Sequence, residues 1–198
     1  DNPSLPFGTS DFNISFKLKA LQQTGTGLQA GIINKYYYSG NNSTSNGFLV
    51  RLSSTNLFFV FTDAPNNNQH YTDISTYLNN QWFDVSLNCT WGDMVRIYIN
   101  SNLVDSFSMA NVSGTLANNV PLFIGKYYGS VYALFLDGNL DAVQIWDRTL
   151  TQQEIQQYMN CPPTGSESGL AGYWNFEEGS GTTAFDQTAN GNDGTLVN

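Results

Sequence analysis

The sequence predicts an all-β protein, a two-sheet antiparallel β-sandwich with one short helix. Apolar and polar residues alternate over short segments, which is the period of strands with one face on a core and one in water. Loops rich in Asn, Ser, Thr and Gly separate these segments. The 198 residues, 40% of them hydrophobic, suffice for one core, since β-sandwiches of about 200 residues form single domains.

The clearest strand lies near the start of the chain, where Phe12, Ile14, Phe16 and Leu18 alternate with polar residues. Two polar stretches, Ser39 to Asn46 and Ala64 to Gln69, are predicted loops. Further strands are predicted at Gly47 to Leu52, Leu57 to Phe61, Trp82 to Cys89, Val95 to Asn100, Leu103 to Phe107, Pro121 to Gly125, Leu140 to Trp146 and Gly172 to Phe176.

One helix is predicted from Thr151 to about Met159. Thr151 and Glu154 have the spacing of a capping box, and Ile155 and Tyr158 recur on one face. The Pro- and Gly-containing stretch 161–169 that follows is a predicted linker. The linker separates a predicted sandwich at residues 1–160 from a terminal segment at residues 170–198.

Composition excludes some classes of partner. The formal charge of -9 and the pI near 4.2 argue against nucleic acid, which is bound through Lys and Arg. No apolar stretch approaches the roughly 20 residues that cross a bilayer, so we expect no membrane insertion. No signal peptide opens the chain, and we expect a mature soluble piece whose export signal lies upstream.

Several segments resemble one family in order along the chain. Residues 169–186 resemble the opening strand and loop of laminin-G-like (concanavalin A-like) repeats of secreted multidomain proteins, and residues 136–150 resemble their closing segment. The remaining similar segments are Phe12 to Lys19, Gln81-Trp82, Val95 to Asn100 and Pro121 to Gly125. The resemblance implies a concanavalin A-like jelly roll in a secreted or cell-surface protein.

The segment that resembles the end of a family repeat here precedes the segment that resembles its beginning, which leaves two alternatives. Either the chain comes from a tandem array, or residues 170–198 complete the same sandwich in permuted order, the alternative that we favour. The hydrophobic strand that the family places between the opening loop and residue 1 has no counterpart. An unclosed sandwich exposes a strand edge and favours a strand-swapped dimer.

The loop from Asp186 to Gly194 is rich in oxygen ligands and glycine, which suits a hard cation such as Ca²⁺. The family resemblance implies calcium ligands at Asp186, Asn190, Asn192 and Asp141. Ala142 stands where the family often has a second Asp. In the alternative interpretation, the Asp and Asn side chains only brace a turn.

Catalysis is not predicted. Glycosidases on related jelly rolls use paired carboxylates, which lie about 5 Å apart in retaining enzymes, but no Glu precedes Glu154 in this chain. Asp84 and Asp93 are predicted to face solvent. His70 is the only histidine, and its polar surroundings predict an exposed loop residue.

Aromatic residues point to binding instead. Tyr37, Tyr127 and Tyr128 are the candidate ligand residues, since sugar rings stack on aromatic side chains and nearby amides can bind hydroxyls. Alternatively, tyrosines at strand ends only pack. The four tryptophans are predicted to pack, with Trp146 and Trp174 meeting across the sandwich.

Two cysteines, Cys89 and Cys161, allow one disulfide in an oxidising compartment, or else a buried thiol and a linker thiol. The predicted function is a non-catalytic carbohydrate-binding or adhesion module of a larger secreted or cell-surface protein, with a structural calcium ion. The alternative is a spacer or protein-interaction module without a sugar site. A polysaccharide-active enzyme is opposed by the distribution of carboxylates.

Overall fold

The computed structural model describes residue 5 and residues 7–22, 29–37, 45–63, 66–128 and 133–197. One α-helix, α1 (Gln152–Asn160), and a 3₁₀ turn at Ser75–Tyr77 accompany the strands. The strands are β1 (Phe12–Leu21), β2 (Gln29–Tyr37), β3 (Asn46–Ser53), β4 (Asn56–Asp63), β5 (Asn67–Asp73), β6 (Asn79–Cys89), β7 (Met94–Ile99), β8 (Asn102–Ser108), β9 (Phe123–Ile124), β10 (Lys126–Tyr128), β11 (Ala133–Phe135), β12 (Gly138–Trp146), β13 (Leu170–Trp174), β14 (Thr183–Ala184) and β15 (Gly194–Thr195).

Two antiparallel sheets form the sandwich. The first has six strands in the order β13-β12-β1-β6-β7-β8, and the second has five in the order β5-β4-β3-β2-β9. Two short ribbons, β10-β11 and β14-β15, complete the strands. The predicted fold class is therefore confirmed.

The core lies between the two sheets and follows the predicted alternation. Phe12, Ile14, Phe16 and Leu18 of β1 all point inward and are at most 2% exposed. Aromatic rings from both sheets meet there, and Phe12 lies 6.2 Å from Phe48 between ring centroids. The alternation of apolar and polar residues along β1 therefore predicted its core-facing side correctly.

Helix α1 packs on the outer face of the six-stranded sheet. The predicted capping box is confirmed, because Thr151 accepts a hydrogen bond from the Glu154 amide and Glu154 accepts one from the Thr151 amide. Trp146 is fully buried beneath this helix, 4.7 Å from the ring of Tyr158.

Trp146 and Trp174 do not meet, so that prediction is wrong. Trp174 belongs to the core between the sheets, whereas Trp146 belongs to the separate cluster under α1. Helix α1 covers the outer face of the six-stranded sheet, and Trp146, which points outward from β12, is therefore buried beneath the helix.

Strand β5 corrects another prediction. Its residues 67–69 fall within a predicted loop, yet Asn67–Asp73 pairs with β4 along its whole length. An edge strand needs few apolar residues, since much of it faces solvent, and β5 therefore lacks the alternating pattern. Residues 64 and 65 of that predicted loop, and residues 39–44 of the other, lie outside the described residues.

The terminal segment joins the same sandwich. Strand β13 pairs with β12, with Val143 opposite Trp174 and Gln144 opposite Tyr173. The division of the chain at residues 160 and 170 stays a prediction. Both cysteines are free thiols, Cys89 buried and Cys161 exposed, so the disulfide alternative is not realised.

The two sides of the sandwich differ. At one side, β5 and β8 are linked, because Asp105 of β8 lies 2.8 Å from His70 Nε2 and accepts a hydrogen bond from Thr72, both on β5. The ring of His70 also stacks on Phe107 at 4.3 Å. His70 is thus a partly buried strand residue, and the predicted loop position is wrong. At the opposite side, a groove lies between β9 and β13.

Candidate functional site

The five-stranded sheet carries a second apolar surface on the face that points away from the core. We call this surface the outer aromatic face. The continuous apolar run of β4 explains it, since Leu57 and Phe59 point into the core while Phe58 and Val60 point outward. The outer aromatic face consists of the buried residues Tyr36, Leu49, Phe58 and Val60, the partly buried Arg51 and Tyr127, and the exposed Tyr71.

A stack of three side chains lies at its centre. Arg51, Phe58 and Tyr71 are direct neighbours across β3, β4 and β5. The Arg51 Cζ atom lies 4.0 Å from the Phe58 ring centroid, and the Phe58 and Tyr71 centroids are 4.3 Å apart. Phe58 is 3% exposed and Tyr71 is 54% exposed. The stack thus runs from a buried ring to an open one.

The Arg51 guanidinium is partly desolvated by its aromatic surroundings. Burial lowers the pKa of Arg51, and Tyr71, Tyr127 and Tyr36 oppose that shift only in part. Arginine side chains stay protonated in proteins, so the face holds a cation above an aromatic ring.

The β10-β11 ribbon covers one end of the outer aromatic face. Gly31 of β2 makes this crossing possible, because a Cβ atom there would collide with the backbone of Lys126 and Tyr127. Tyr127 is half-buried and packs on the sheet. Of the predicted ligand residues, Tyr127 therefore lies on this face. The side chains of Tyr37 and Tyr128 lie outside the described residues.

Asn34 is buried on the same face, diagonally across from Arg51, since its direct partner is Leu49. Among the described residues, neither its Nδ2 atom nor its Oδ1 atom has a hydrogen-bond partner. A buried amide almost always has partners. Asn34 is fully buried, so we expect an internal water molecule to bind this amide.

The predicted calcium loop is held by its own hydrogen bonds. The two carboxylate oxygens of Asp186 accept five: from the amides of Tyr173, Thr188 and Asn192, from the Thr188 hydroxyl, and from Asn192 Nδ2, at 2.9–3.0 Å. These N–H and O–H donors occupy the lone pairs of both carboxylate oxygens, which a bound cation would need. This geometry fits the turn-bracing alternative and does not fit a metal ion.

The other predicted calcium ligands behave in the same way. The Nδ2 atoms of Asn190 and Asn192 both donate to the carbonyl oxygen of Ala171. Asp141 accepts a hydrogen bond from its neighbour Ala142. In the part of the chain that the structure describes, no three His, Cys, Asp or Glu residues form a group that could hold a metal. The calcium site stays a prediction that the Asp186 contacts do not favour.

The groove between β9 and β13 has a volume of about 520 Å³. Phe123 and Ile124 of β9 line one wall, and Trp174 lines the other. Lys35 and Asp193 also contribute to its surface, and the Lys35 ammonium donates a hydrogen bond to the Val120 carbonyl at 2.7 Å. Burial lowers the pKa of Lys35.

Sequence reasoning missed Arg51, Phe58 and Asn34. The signal that could have found them is the unbroken apolar run of β4, which is typical of a strand covered on both faces. Trp82, predicted to pack, is 48% exposed on the six-stranded sheet. It is an exposed aromatic residue outside the outer aromatic face.

None of the described helical segments has the length or apolar composition needed to cross a lipid bilayer. No curated protein sequence matches this chain. Solved structures do match it, and the three described next share 18–21% sequence identity with it.

Three of these structures are binding proteins. A candidate carbohydrate binding protein from Bacteroides ovatus has a TM-score of 0.68 at 18% identity, over 96% of this chain and 55% of the other. The binding domain of Paraclostridial Mosquitocidal Protein 1 has a TM-score of 0.63 at 21% identity, over 81% and 39%. The binding domain of botulinum neurotoxin DC, in complex with rat synaptotagmin II, has a TM-score of 0.54 at 21% identity, over 79% and 37%.

At these identities the likeness shows the fold, and the chain spans at most 55% of the length of these structures. A family profile gives the classification. A laminin G profile, described as the concanavalin A-like lectin/glucanases superfamily, matches residues 2–156. This match covers most of the chain and agrees with the two-sheet antiparallel sandwich, and the chain therefore belongs to the concanavalin A-like lectin/glucanase superfamily.

Proposed function

We propose that this chain is a non-catalytic carbohydrate-binding module whose glycan site is the outer aromatic face. The observation that carries the proposal is the stack of Arg51, Phe58 and Tyr71, in which a half-exposed ring adjoins a cation held over a buried ring. The apolar C–H face of a sugar ring packs on such an aromatic side chain. Polar groups beside the ring then fix the orientation of the hydroxyls.

The polar groups needed for this role lie on the same face. Gln69 is exposed on β5 and directly opposite Val60, and Arg51 lies beside Tyr71. Gln69, Arg51 and Tyr71 stand on paired strands, so the site needs little ordering when a ligand binds.

A binding role also agrees with the chemistry of the ionisable groups. Glu154 belongs to the capping box and pairs with Arg148 at 2.8 Å, while Asp84 pairs with Lys17 at 2.6 Å. His70 contacts Asp105 within the join between the sheets. These groups have structural partners, and the three binding proteins of similar fold support a binding role for this chain.

A glycan array followed by calorimetry with the best glycan tests the proposal. Tyr71→Ala removes the exposed ring and should weaken binding by about tenfold or more, as single stacking aromatics contribute at binding sites. Trp82→Ala removes an equally exposed ring from the other sheet and should leave the affinity unchanged. Loss of binding in Trp82→Ala but not in Tyr71→Ala would place the site elsewhere, and an array without any binding glycan would refute the function.

We further propose an extracellular setting for this module, in a larger secreted or cell-surface protein, as the family resemblance implies. Expression with and without an export signal in a host that secretes the parent protein tests this point. Protein recovered only from the cytosol would oppose it.

A second candidate function is self-association at the groove between β9 and β13. Its walls are apolar at Phe123, Ile124 and Phe176, and an apolar groove at the surface can pack on the same groove of a second copy. Light scattering at increasing concentration should then show a dimer, which Ile124→Lys in the groove wall should abolish. A monomer at every concentration would exclude a strand-swapped dimer.

A further inference from the structure

We infer that the glycan bound at the outer aromatic face is acidic and that its carboxylate binds Arg51. This inference rests on the proposed function, because it names the class of sugar for the same site. It adds a specificity that an aromatic platform alone would lack, since neutral and acidic sugars present similar C–H faces to a tyrosine ring.

The position of Arg51 carries the inference. The buried Phe58 ring lies beneath the guanidinium at 4.0 Å, so the side chain of Arg51 is held on top of the sheet and is only partly buried. A guanidinium presents its N–H donors as a planar fork that matches both oxygens of a carboxylate. Stacking on a fixed ring limits the rotamers of Arg51, which lowers the entropy lost when the pair forms.

Tyr71 sets the distance between the two contacts. Arg51 and Tyr71 both contact the Phe58 ring, at 4.0 Å and 4.3 Å from its centroid, so both groups lie within reach of one monosaccharide. A pyranose ring packed on Tyr71 would then direct a carboxylate substituent toward the guanidinium. The partial desolvation that lowers the pKa of Arg51 also strengthens its attraction for an anion, since less water screens the pair.

The overall charge of the chain makes this contact specific. With 7 basic against 16 acidic residues, the chain repels anions at long range. Acidic glycans will therefore not accumulate on this surface by general attraction. Binding of an acidic sugar needs a local group, and Arg51 is the cation at the centre of the proposed site.

Calorimetry with matched sugars tests the inference. The probes are oligosaccharides that differ only in the terminal residue, which is glucose, glucuronate or N-acetylneuraminate. Wild-type protein should bind at least one acidic probe about 10- to 100-fold more tightly than the neutral probe, as expected for charge-assisted hydrogen bonds. Arg51→Gln should reduce that preference to about twofold or less, because affinity for the acidic probe falls much further than affinity for the neutral probe.

Two further variants sharpen the test. Arg51→Lys keeps the charge without the fork and should retain only part of the preference. Arg96→Gln removes the same charge from β7 on the other sheet, where Arg96 donates to Thr90, and should change nothing. Circular dichroism of each variant confirms that it folds.

The outcomes separate this inference from the proposed function. Equal affinity of the wild-type protein for acidic and neutral probes, with loss of both in Tyr71→Ala, would overturn the acidic specificity and keep the glycan site. Equal loss of preference in Arg96→Gln and Arg51→Gln would overturn the role of Arg51. Absence of any glycan binding would remove the proposed function itself.

Discussion

Replacing Asp186 by alanine should strongly destabilise the whole sandwich. The Asp186 carboxylate connects three parts of the terminal segment, because it accepts hydrogen bonds from the β13 residue Tyr173, from Thr188 and from Asn192. Asn192 in turn accepts a hydrogen bond from the Trp174 indole through its carbonyl, at 3.0 Å. Loss of the carboxylate therefore loosens the strand at the edge of the six-stranded sheet.

The magnitude follows from the five hydrogen bonds to this carboxylate. A hydrogen bond to a charged group contributes about 1.5–3 kcal/mol, but bonds to one group are not additive and water replaces some of them. Single substitutions rarely cost more than about 4–5 kcal/mol. We therefore expect Asp186→Ala to lower the free energy of unfolding by about 3–4 kcal/mol.

Thermal and urea unfolding measure this loss. For a chain of this size, 1 kcal/mol corresponds to roughly 2–4 °C in Tm, so the expected decrease is about 6–16 °C. Asp193→Ala is the matched control in the same loop, since Asp193 accepts a single described bond, from the Asp186 amide at 2.9 Å. Its expected cost is about 1 kcal/mol. Equal effects of the two substitutions would refute the bracing role of Asp186.

The same experiment tests the calcium prediction. With both oxygens of Asp186 bracing the loop, neither added Ca²⁺ nor excess chelator should shift the Tm of the wild-type protein. A calcium-dependent rise in Tm that disappears in Asp186→Ala would show that a cation replaces these donors. The turn-bracing interpretation would then be wrong.

The pH dependence gives an independent check. Partial burial alone raises the pKa of Asp186, but the hydrogen bonds from Tyr173, Thr188 and Asn192 outweigh it, and the pKa lies below its usual value. A carboxyl group with a lowered folded-state pKa stabilises the protein above its unfolded pKa of about 3.9 and loses that contribution as the pH falls further. The difference in stability between wild type and Asp186→Ala should therefore be constant near neutral pH and shrink below about pH 4.

Three further predictions concern other contacts. Gly31→Ala should displace the β10-β11 ribbon, lower the free energy of unfolding by about 1–3 kcal/mol and weaken glycan binding in calorimetry. Gly8 has open space around it, so Gly8→Ala should change neither the stability nor the affinity. Asp105→Ala should lower the urea midpoint by an amount equivalent to about 1–3 kcal/mol, because it separates β5 from β8, and an unchanged midpoint would contradict this join. The hydrogen bonds from Arg148 and Thr151 lower the pKa of Glu154 to about 2, so its carboxyl carbon should show no titration between pH 6 and about pH 3 in NMR, against an ordinary pKa of about 4.3.

The core and the helix could be predicted because each depends on local order. The apolar positions of β1 recur every second residue, and burial of one face requires only that period. The capping box of α1 lies within four residues, Thr151 to Glu154, and its partners are fixed by the helix itself. Such features need no information about strand order.

The outer aromatic face could not be predicted in the same way. Arg51 and Tyr71 lie on β3 and β5, and only the register of two hairpins makes them neighbours. A shift of one residue in either hairpin would turn one of these side chains to the other face. The tyrosine-rich loops are conspicuous in the sequence and led to the prediction of Tyr37, Tyr127 and Tyr128. The proposed site is instead assembled from single residues on separate strands.

The location of the site also separates binding from the stability of the terminal segment. The outer aromatic face belongs to the five-stranded sheet, whereas β13 and the Asp186 loop complete the six-stranded sheet. A substitution at Asp186 can therefore change glycan affinity only by unfolding the domain or displacing one sheet against the other. If Asp186→Ala remains folded at low temperature, its affinity should equal that of the wild type, whereas Tyr71→Ala should lose affinity at full stability. An Asp186 variant that is folded but cannot bind would show that the two sheets are coupled, and the glycan site would then extend beyond the outer aromatic face.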